Sequence, residues 1–347
     1  MLDIRIEKYR AEYEKQWDQF IQEKSVNGTF LQERRFLNYH REGRFKDCSI
    51  LFFDKTNLIA VCPACEVLQD GKKTFYSHKG STYGGIVLEK EMFRVDKFRC
   101  IYDAFETYLK QQGFQECILK LTMELLCQYP QELIKFYLSY AGYKEIKELN
   151  VYIDYRKYNN DVLSNFSKMK KRNVRKCIEA GMQLRELQSE KEIERFHQVL
   201  SKNLRKYDTV PVHTVSEMID LKRRLGEGVI FYGAYMGELL VAGTMVFVFE
   251  KVRCAHTQYL AADPDYAHVN AMSFIYYKMI EIYMEKGFQY LSWGTTTEHG
   301  GEEINWNLAN NKEEFGSLHS VNSIFEKHIN NEMNRIYSTV RFGKRGI

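Results

Sequence analysis

The stretch 228–316 most limits what this chain can fold into. It opens as a hairpin: Val229-Ile-Phe-Tyr-Gly-Ala-Tyr, the turn Met236-Gly237-Glu238, then Leu239-Leu-Val-Ala-Gly-Thr-Met-Val-Phe-Val-Phe249. Apolar runs on either side of a glycine turn read as paired strands. A third strand follows, Arg253-Cys-Ala-His-Thr-Gln-Tyr-Leu-Ala261, and Asp263-Pro264-Asp265 breaks it. A helix is expected over 267–286, stopped by Gly287. A short strand, Gln289-Tyr-Leu-Ser-Trp293, runs into Gly294, and the stretch closes with Lys312-Glu-Glu-Phe315-Gly316. Three strands, a helix, a strand and a polar loop make a compact α/β unit. Its polar residues gather at strand ends, where α/β sheets usually hold their sites.

The whole chain has 347 residues and 44% hydrophobic content, enough for a large core and a length that suggests two domains. Four prolines and 28% charged residues argue against disorder. A net charge of +4 does not by itself imply nucleic acid. The eight cysteines sit mostly in apolar runs, as reduced core thiols of a cytoplasmic protein would. Cys62-Pro-Ala-Cys65 has redox or zinc spacing, but no second such pair accompanies it, and it reads as a strand end. The N-terminus, Met1-Leu-Asp-Ile-Arg-Ile-Glu-Lys, lacks an apolar signal core. No apolar run is long enough to span a bilayer.

The first half reads as a helix over 8–24, a second helix ending near residue 40, and two strands around the turn Asp54-Lys-Thr-Asn57. A polar, glycine-rich segment, 75–85, comes next. A helix over 96–112 stops at Gly113 and leads into the strand Glu116-Cys-Ile-Leu-Lys-Leu121. Another helix opens at Pro130 and ends at Gly142, before a strand over 148–155. The second half begins with the basic segment Lys168-Met-Lys-Lys-Arg-Asn-Val-Arg-Lys176, expected on a helix over 161–180. Ser189-Glu-Lys-Glu192 and Thr214-Val-Ser-Glu217 match capping boxes, each opening a helix. The halves echo each other: Tyr108-Leu-Lys-Gln-Gln-Gly-Phe-Gln115 and Tyr283-Met-Glu-Lys-Gly-Phe-Gln289 both end a helix and enter a strand. This order of elements implies a duplicated domain, 1–150 and 151–347.

Four motifs give the chain a resemblance to a known family. They are Thr29-Phe-Leu-Gln32, Ser77-His-Lys-Gly-Ser-Thr-Tyr-Gly-Gly85, Lys170-Lys-Arg-Asn-Val-Arg-Lys-Cys-Ile-Glu-Ala-Gly181, and Lys312-x-x-Phe315-Gly316. With the element order of each half, they resemble the Fem (FemABX-like) peptidoglycan-bridge aminoacyltransferases and related tandem GNAT acyltransferases. The resemblance implies an α/β (α+β) chain of two tandem GNAT-like domains, each a mixed, largely antiparallel sheet flanked by helices. It implies amide formation on an amino group of a sugar or peptide in a cell-envelope precursor, the acceptor being a small molecule or a peptidoglycan or polysaccharide precursor. Acyl-CoA or aminoacyl-tRNA would be a co-substrate, with no permanently bound cofactor and tRNA as a partner. In Fem enzymes the lysine of the K-x-x-F-G motif is linked to acyl transfer, and here it matches Lys312. One departure concerns the donor. GNAT enzymes cradle the coenzyme A pyrophosphate with a glycine-containing loop, whereas this chain has Ala267-His-Val-Asn-Ala-Met272 there.

The catalytic candidates are Lys312, read as a solvent-reachable loop cation able to stabilise an oxyanion, Glu298 as a base for the attacking amine, and His256. Gln258 alternates with His256 on one strand face. With Tyr259, Trp293 and the polar group His78, Lys79, Ser81 and Tyr83, it forms the expected substrate-binding set. Lys168, Arg172, Arg175 and Lys176 fall largely on one helical side and suit phosphate, from a nucleotide-linked substrate or tRNA. No set of residues has metal-ligand spacing. Two other readings stay open: a non-catalytic binding module with a decayed donor site, and an RNA-binding protein using the basic helix.

Overall fold

The computed structural model describes residues 2–206 and 208–329. The first half contributes β1 (Ile4–Lys8), β2 (Ile50–Asp54), β3 (Asn57–Cys62), β4 (Cys65–Gln69), β5 (Lys72–Ser77), α1 (Val95–Gln111), β6 (Glu116–Lys120), α2 (Glu132–Tyr140) and β7 (Lys144–Asp154). The second contributes α3 (Lys168–Glu179), β8 (Gln183–Glu186), α4 (Glu190–Arg205), α5 (Val215–Leu225), β9 (Val229–Met236), β10 (Leu239–Phe249) and β11 (Cys254–Ala262). It ends with α6 (Ala271–Glu285), β12 (Tyr290–Thr295), α7 (Trp306–Glu313) and β13 (Leu318–His328). The two halves share one eleven-stranded sheet, ordered β8-β9-β10-β11-β12-β7-β13-β6-β5-β4 and closed by Lys46–Asp47. A four-stranded sheet, β1-β2-β3 with Val87–Leu88, covers the N-terminal side.

Each half exchanges a strand with the other. Only two strand pairs of the large sheet are parallel, β5 with β6 and β11 with β12, and each is joined by its crossover helix, α1 or α6. Beside β12 lies β7, from the first half, and beside β6 lies β13, from the second. β7 and β13 pair with each other along nine residues, from Leu318↔Tyr152 to Glu326↔Lys144. The boundary expected at 150/151 therefore falls inside β7.

The apolar 229–249 hairpin is buried on both faces. Ile230, Tyr232 and Ala234 face α3 and α6, while Val229 and Phe231 face α4 and α5. The second face also packs on the first half: Phe30 stacks on Phe249, with ring centroids 4.8 Å apart. Gly237 takes the turn at φ +59°, where a side chain would strain the backbone. Both expected capping boxes form, at Ser189/Glu192 and Thr214/Glu217.

Several boundaries differ from the sequence reading. The helix expected over 8–24 is a strand to Lys8, a short α-helix (Glu14–Gln19) and a π-helix (Phe20–Lys24). The helix expected from 267 begins at Ala271, because Pro264–Val269 is 3₁₀ and Asn270 turns left-handed at φ +58°. Residues 161–180 divide into a 3₁₀ turn and α3, because Ser167 caps Lys170 N–H and starts a new helix. Cys62 ends β3 and Cys65 starts β4; burial pushes the Cys65 thiol up to about 11 and Cys62 further, leaving both unreactive.

Phe325 of β13 is fully buried in the first-half core with Phe98, Phe105 and Leu119. Phe325→Ala should cost about 3–5 kcal/mol. Hydrogen exchange should speed up together in α1, β6 and β7, although α1 lies more than 200 residues away in sequence. Acceleration confined to β13 would mean that the exchanged strand is only an appendage.

Candidate active site

The parallel pairing of β11 with β12 lasts three residues, Cys254↔Tyr290, Ala255↔Leu291 and His256↔Ser292. Beyond it the strands part. β11 continues against β10 to Ala262, and β12 continues against β7 to Thr295. A V-shaped gap thus opens in the sheet at His256 and Ser292. On its β11 arm the register slips between Met245 and Val246, so that Gln258 is the extra, bulged residue. Bulges of this kind recur beside active sites, where they re-aim backbone groups.

The first half has the same split after Ser77↔Leu119, but its own chain fills it. Gly84 N–H donates to Lys120 O at 2.7 Å, and Gly85 N–H donates to Ser77 Oγ. A Cβ on Gly84 would stand 2.4 Å from Ser77 O, so only glycine fits. Gln32 holds the plug, donating to Thr122 Oγ1 at 2.8 Å and to Gly84 O, while Ser81 Oγ donates to Leu31 O at 3.0 Å. The motifs at 29–32 and 77–85 are thus two sides of one junction. Of the substrate groups expected here, His78 is buried and accepts from Gly80 N–H, Tyr83 is buried against Met123, and Lys79 is exposed. Burial lowers the His78 pKa and keeps its ring neutral.

Lys312 lies in the second gap, and not in a loop. Asn305 caps α7 by accepting from Leu308 N–H, and the helix carries Lys312 inward until it is 3% exposed. Its Nζ donates to Gly294 O at 3.2 Å and Thr295 O at 3.0 Å. Among the described residues no carboxylate pairs with it, and burial lowers its pKa to about 7. Gly294, at φ +79°, makes the bend that turns these carbonyls toward Lys312.

His256 borders the same bend. Its Nδ1 is 3.0 Å from Ser292 Oγ, Ser292 Oγ donates to Asn150 Oδ1 at 3.1 Å, and Asn150 Nδ2 donates to Ser320 Oγ at 3.0 Å. Ser292 has one proton and gives it to Asn150, so His256 Nδ1 is the protonated nitrogen and Nε2 the acceptor. Burial first, and the Lys312 charge second, lower the His256 pKa to about 4. The ring is neutral at pH 7. Asn150 belongs to β7, so the first half completes the second half's site.

The other candidates scatter. Tyr259 OH is 2.6 Å from His213 Nδ1, and His213 Nε2 is 2.8 Å from Tyr39 OH, a buried chain linking the halves. Burial lowers the His213 pKa to about 4. Trp293 is a packing residue: 2% exposed, it lies against Tyr276 and donates to Ser317 Oγ. Glu298 sits exposed on the small hairpin Thr297–Glu298/Glu303–Ile304 and accepts from Asn305 Nδ2 at 2.6 Å. Lys168, Arg172, Arg175 and Lys176 form the outer face of α3 around a shallow concavity. Among the described residues none of the four has an ion pair, whereas the neighbouring Lys170 pairs with Glu314 at 3.3 Å.

That ion pair is part of a clamp. Ser167 N–H donates to Glu314 O, Phe315 stacks on Tyr276 at 4.2 Å, and Tyr158 OH donates to Phe315 O at 2.6 Å. Gly316, at φ +76°, is packed so closely on Asn165 that a Cβ would stand 3.0 Å from its carbonyl oxygen. In Lys312-x-x-Phe315-Gly316 the last two residues therefore fix α7 to the segment before α3, and this sets the position of Lys312.

Residues 164–303 match the family model described as an acetyltransferase (GNAT) domain. The second half is thus similar to a GNAT domain over most of its length. The match begins before α3 and stops short of α7, so Lys312 lies beyond it. The crystal structure of FemX is similar over 92% of this chain and 96% of that one, with a TM-score of 0.67 and 12% identity. The C-terminal domain of a putative lysylphosphatidylglycerol synthetase from Agrobacterium fabrum matches over 91% and 92%, with a TM-score of 0.58 and 11% identity. A tandem GNAT protein from the clavulanic acid biosynthesis pathway matches over 94% and 99%, with a TM-score of 0.53 and 8% identity. These likenesses show the tandem GNAT fold. No curated protein matches the chain by sequence.

The burial of Lys312 has a measurable consequence. Its folded pKa is about 7 and its unfolded value 10.5, so between these the unfolded chain binds more protons. Wild-type stability should therefore gain up to about 1.4 kcal/mol per pH unit from this group as pH rises from 7 toward 10. Lys312→Met lacks that contribution. Urea unfolding at pH 7, 8 and 9 should show the stability difference moving steadily in favour of the wild type. A constant difference would mean that the ammonium is solvated.

Proposed function

We propose that this chain is an acyl or aminoacyl transferase that forms an amide on an amino group, with its site in the second gap. The observation that carries the reading is Lys312, a desolvated ammonium held by two carbonyls where the parallel strands separate. An acyl carbonyl entering the gap meets this cation. As the amine attacks, a C–N bond forms and negative charge builds on the carbonyl oxygen, which Lys312 stabilises. The bond to the leaving group then breaks, C–S in an acyl-CoA or C–O in an aminoacyl-tRNA. The amine loses one proton and the leaving group gains one. Transfer is direct, with no covalent enzyme intermediate. Glu298, three residues past Thr295, is the proposed base. His256, fixed by Ser292 and Asn150, offers Nε2 as an acceptor to the incoming amine.

The acceptor in this reading is a small molecule or a peptidoglycan or polysaccharide precursor, and the setting is cytoplasmic. Among the described residues no helix is long and apolar enough to cross a membrane. Both donors remain in the proposal. The lack of glycine at 267–272 disfavours tight coenzyme A binding, and Lys168, Arg172, Arg175 and Lys176, without ion pairs among the described residues, favour tRNA. A non-catalytic binding module is the second reading, favoured by that same missing glycine loop and by the plugged first gap.

Acyl-CoAs and charged tRNAs, each offered with amine acceptors and followed by mass spectrometry, test the proposal. One donor class should give an amide product, and if it is tRNA its affinity should fall steeply with salt. Lys312→Met should lower kcat by about a hundredfold. Wild-type kcat/KM should decline above about pH 7 as Lys312 loses its proton, while Lys312→Arg should remove that decline. Full activity in Lys312→Met with the true substrates would put the chemistry elsewhere.

A further inference from the structure

A separate cavity of about 250 Å³ lies where the halves meet near the start of β11. Lys251 stands on its rim. The lining includes none of His256, Ser292, Gly294, Thr295 or Lys312, so the cavity is distinct from the gap that holds Lys312. Its apolar wall comes from both halves: Ile21, Phe30 and Leu126 from the first, Leu225 and Phe249 from the second. The π-helix Phe20–Lys24 forms one side, and such segments often mark functional sites.

Of the charged groups on the rim, Lys251 alone has no ion pair among the described residues. Glu33 is buried, and its carboxylate accepts from Arg35 Nε and from Gln22 Nε2 at 3.1 Å. Glu250 pairs with Arg253 at 2.9 Å. Both acids on the rim therefore have donors already. Lys251 instead donates to a neutral group, Ile21 O, at 2.7 Å. Partial burial lowers its pKa, although the nearby Glu33 favours the charged form. The ammonium has two further N–H groups, and the Arg35–Glu33 ion pair uses only Nε.

We propose that this cavity binds a small monocarboxylate with an apolar body. Its carboxylate lies between Lys251 and Arg35, and its body lies against Phe30 and Phe249. The volume is slightly below the roughly 300–1,000 Å³ of most small-molecule sites, which favours a compact ligand. A ligand there touches both halves at once, so its binding strengthens their junction.

Hexanoate and 3-phenylpropionate serve as probes, with their neutral amides as controls, read by calorimetry and thermal shift. The acids should bind and raise the melting temperature by mass action, and the amides should bind at least about tenfold more weakly. Lys251→Met loses the bond to Ile21 O but should still fold cooperatively, and it should lose about the same tenfold for the acids. Val252→Trp should fill the cavity and abolish binding of both. If Val252→Trp does not fold, the Lys251→Met comparison decides. Equal binding of acids and amides, unchanged acid binding in Lys251→Met, or no binding at about 10 mM acid would overturn the proposal. None of these readouts depends on acyl transfer, so its failure and this one are distinguishable.

Discussion

The antiparallel ladder between β7 and β13 joins the structure at its centre. Each strand belongs by sequence to one half and completes the sheet of the other. Without β13, β6 would show a row of unpaired backbone groups, and Phe325 would leave a void among Phe98, Phe105 and Leu119. Without β7, β12 would lose its neighbour and Ser292 the amide of Asn150. The chemistry proposed in the second half thus depends on a residue that the first half supplies.

The two gaps are built differently. In the first, Gly84 and Gly85 run across the opening, locked by Gln32 and Ser77. In the second, the opening is bounded by a bulge at Gln258, a left-handed bend at Gly294 and a buried lysine. Glycine acts differently in each. Gly84 is needed because backbone passes too close for a Cβ, and Gly294 because the bend needs a positive φ. In one gap backbone fills the opening; in the other a buried lysine borders it.

Features set by neighbouring residues were legible in the sequence. The 229–249 hairpin declared itself by two apolar runs and a glycine turn, and the capping boxes at 189 and 214 by side chains three residues apart. The strand β13 did not, because His319, Ser320, Asn322, Ser323, Glu326 and Lys327 hide its alternation. Nor did the burial of Lys312, since nothing in Asn-Asn-Lys-Glu-Glu says that Phe315 and Gly316 will pin the helix inward. Asn150 carried a faint signal as an amide between Leu149 and Val151, but its partner Ser292 lies 142 residues away. Motifs at 29–32 and 77–85 were visible separately; that the first locks the plug made by the second is a tertiary fact.

Strand exchange also bears on how the protein is made. A ribosome produces β6 early and β13 late, with about 200 residues between Lys120 and Leu318. At roughly 5–20 residues per second, the edge of β6 waits on the order of 10–40 s for its partner. Throughout that time the nascent first half has an open edge and an unfilled core position. The finished chain has closed both, but its synthesis includes an interval in which another chain's strand could take the place of β13.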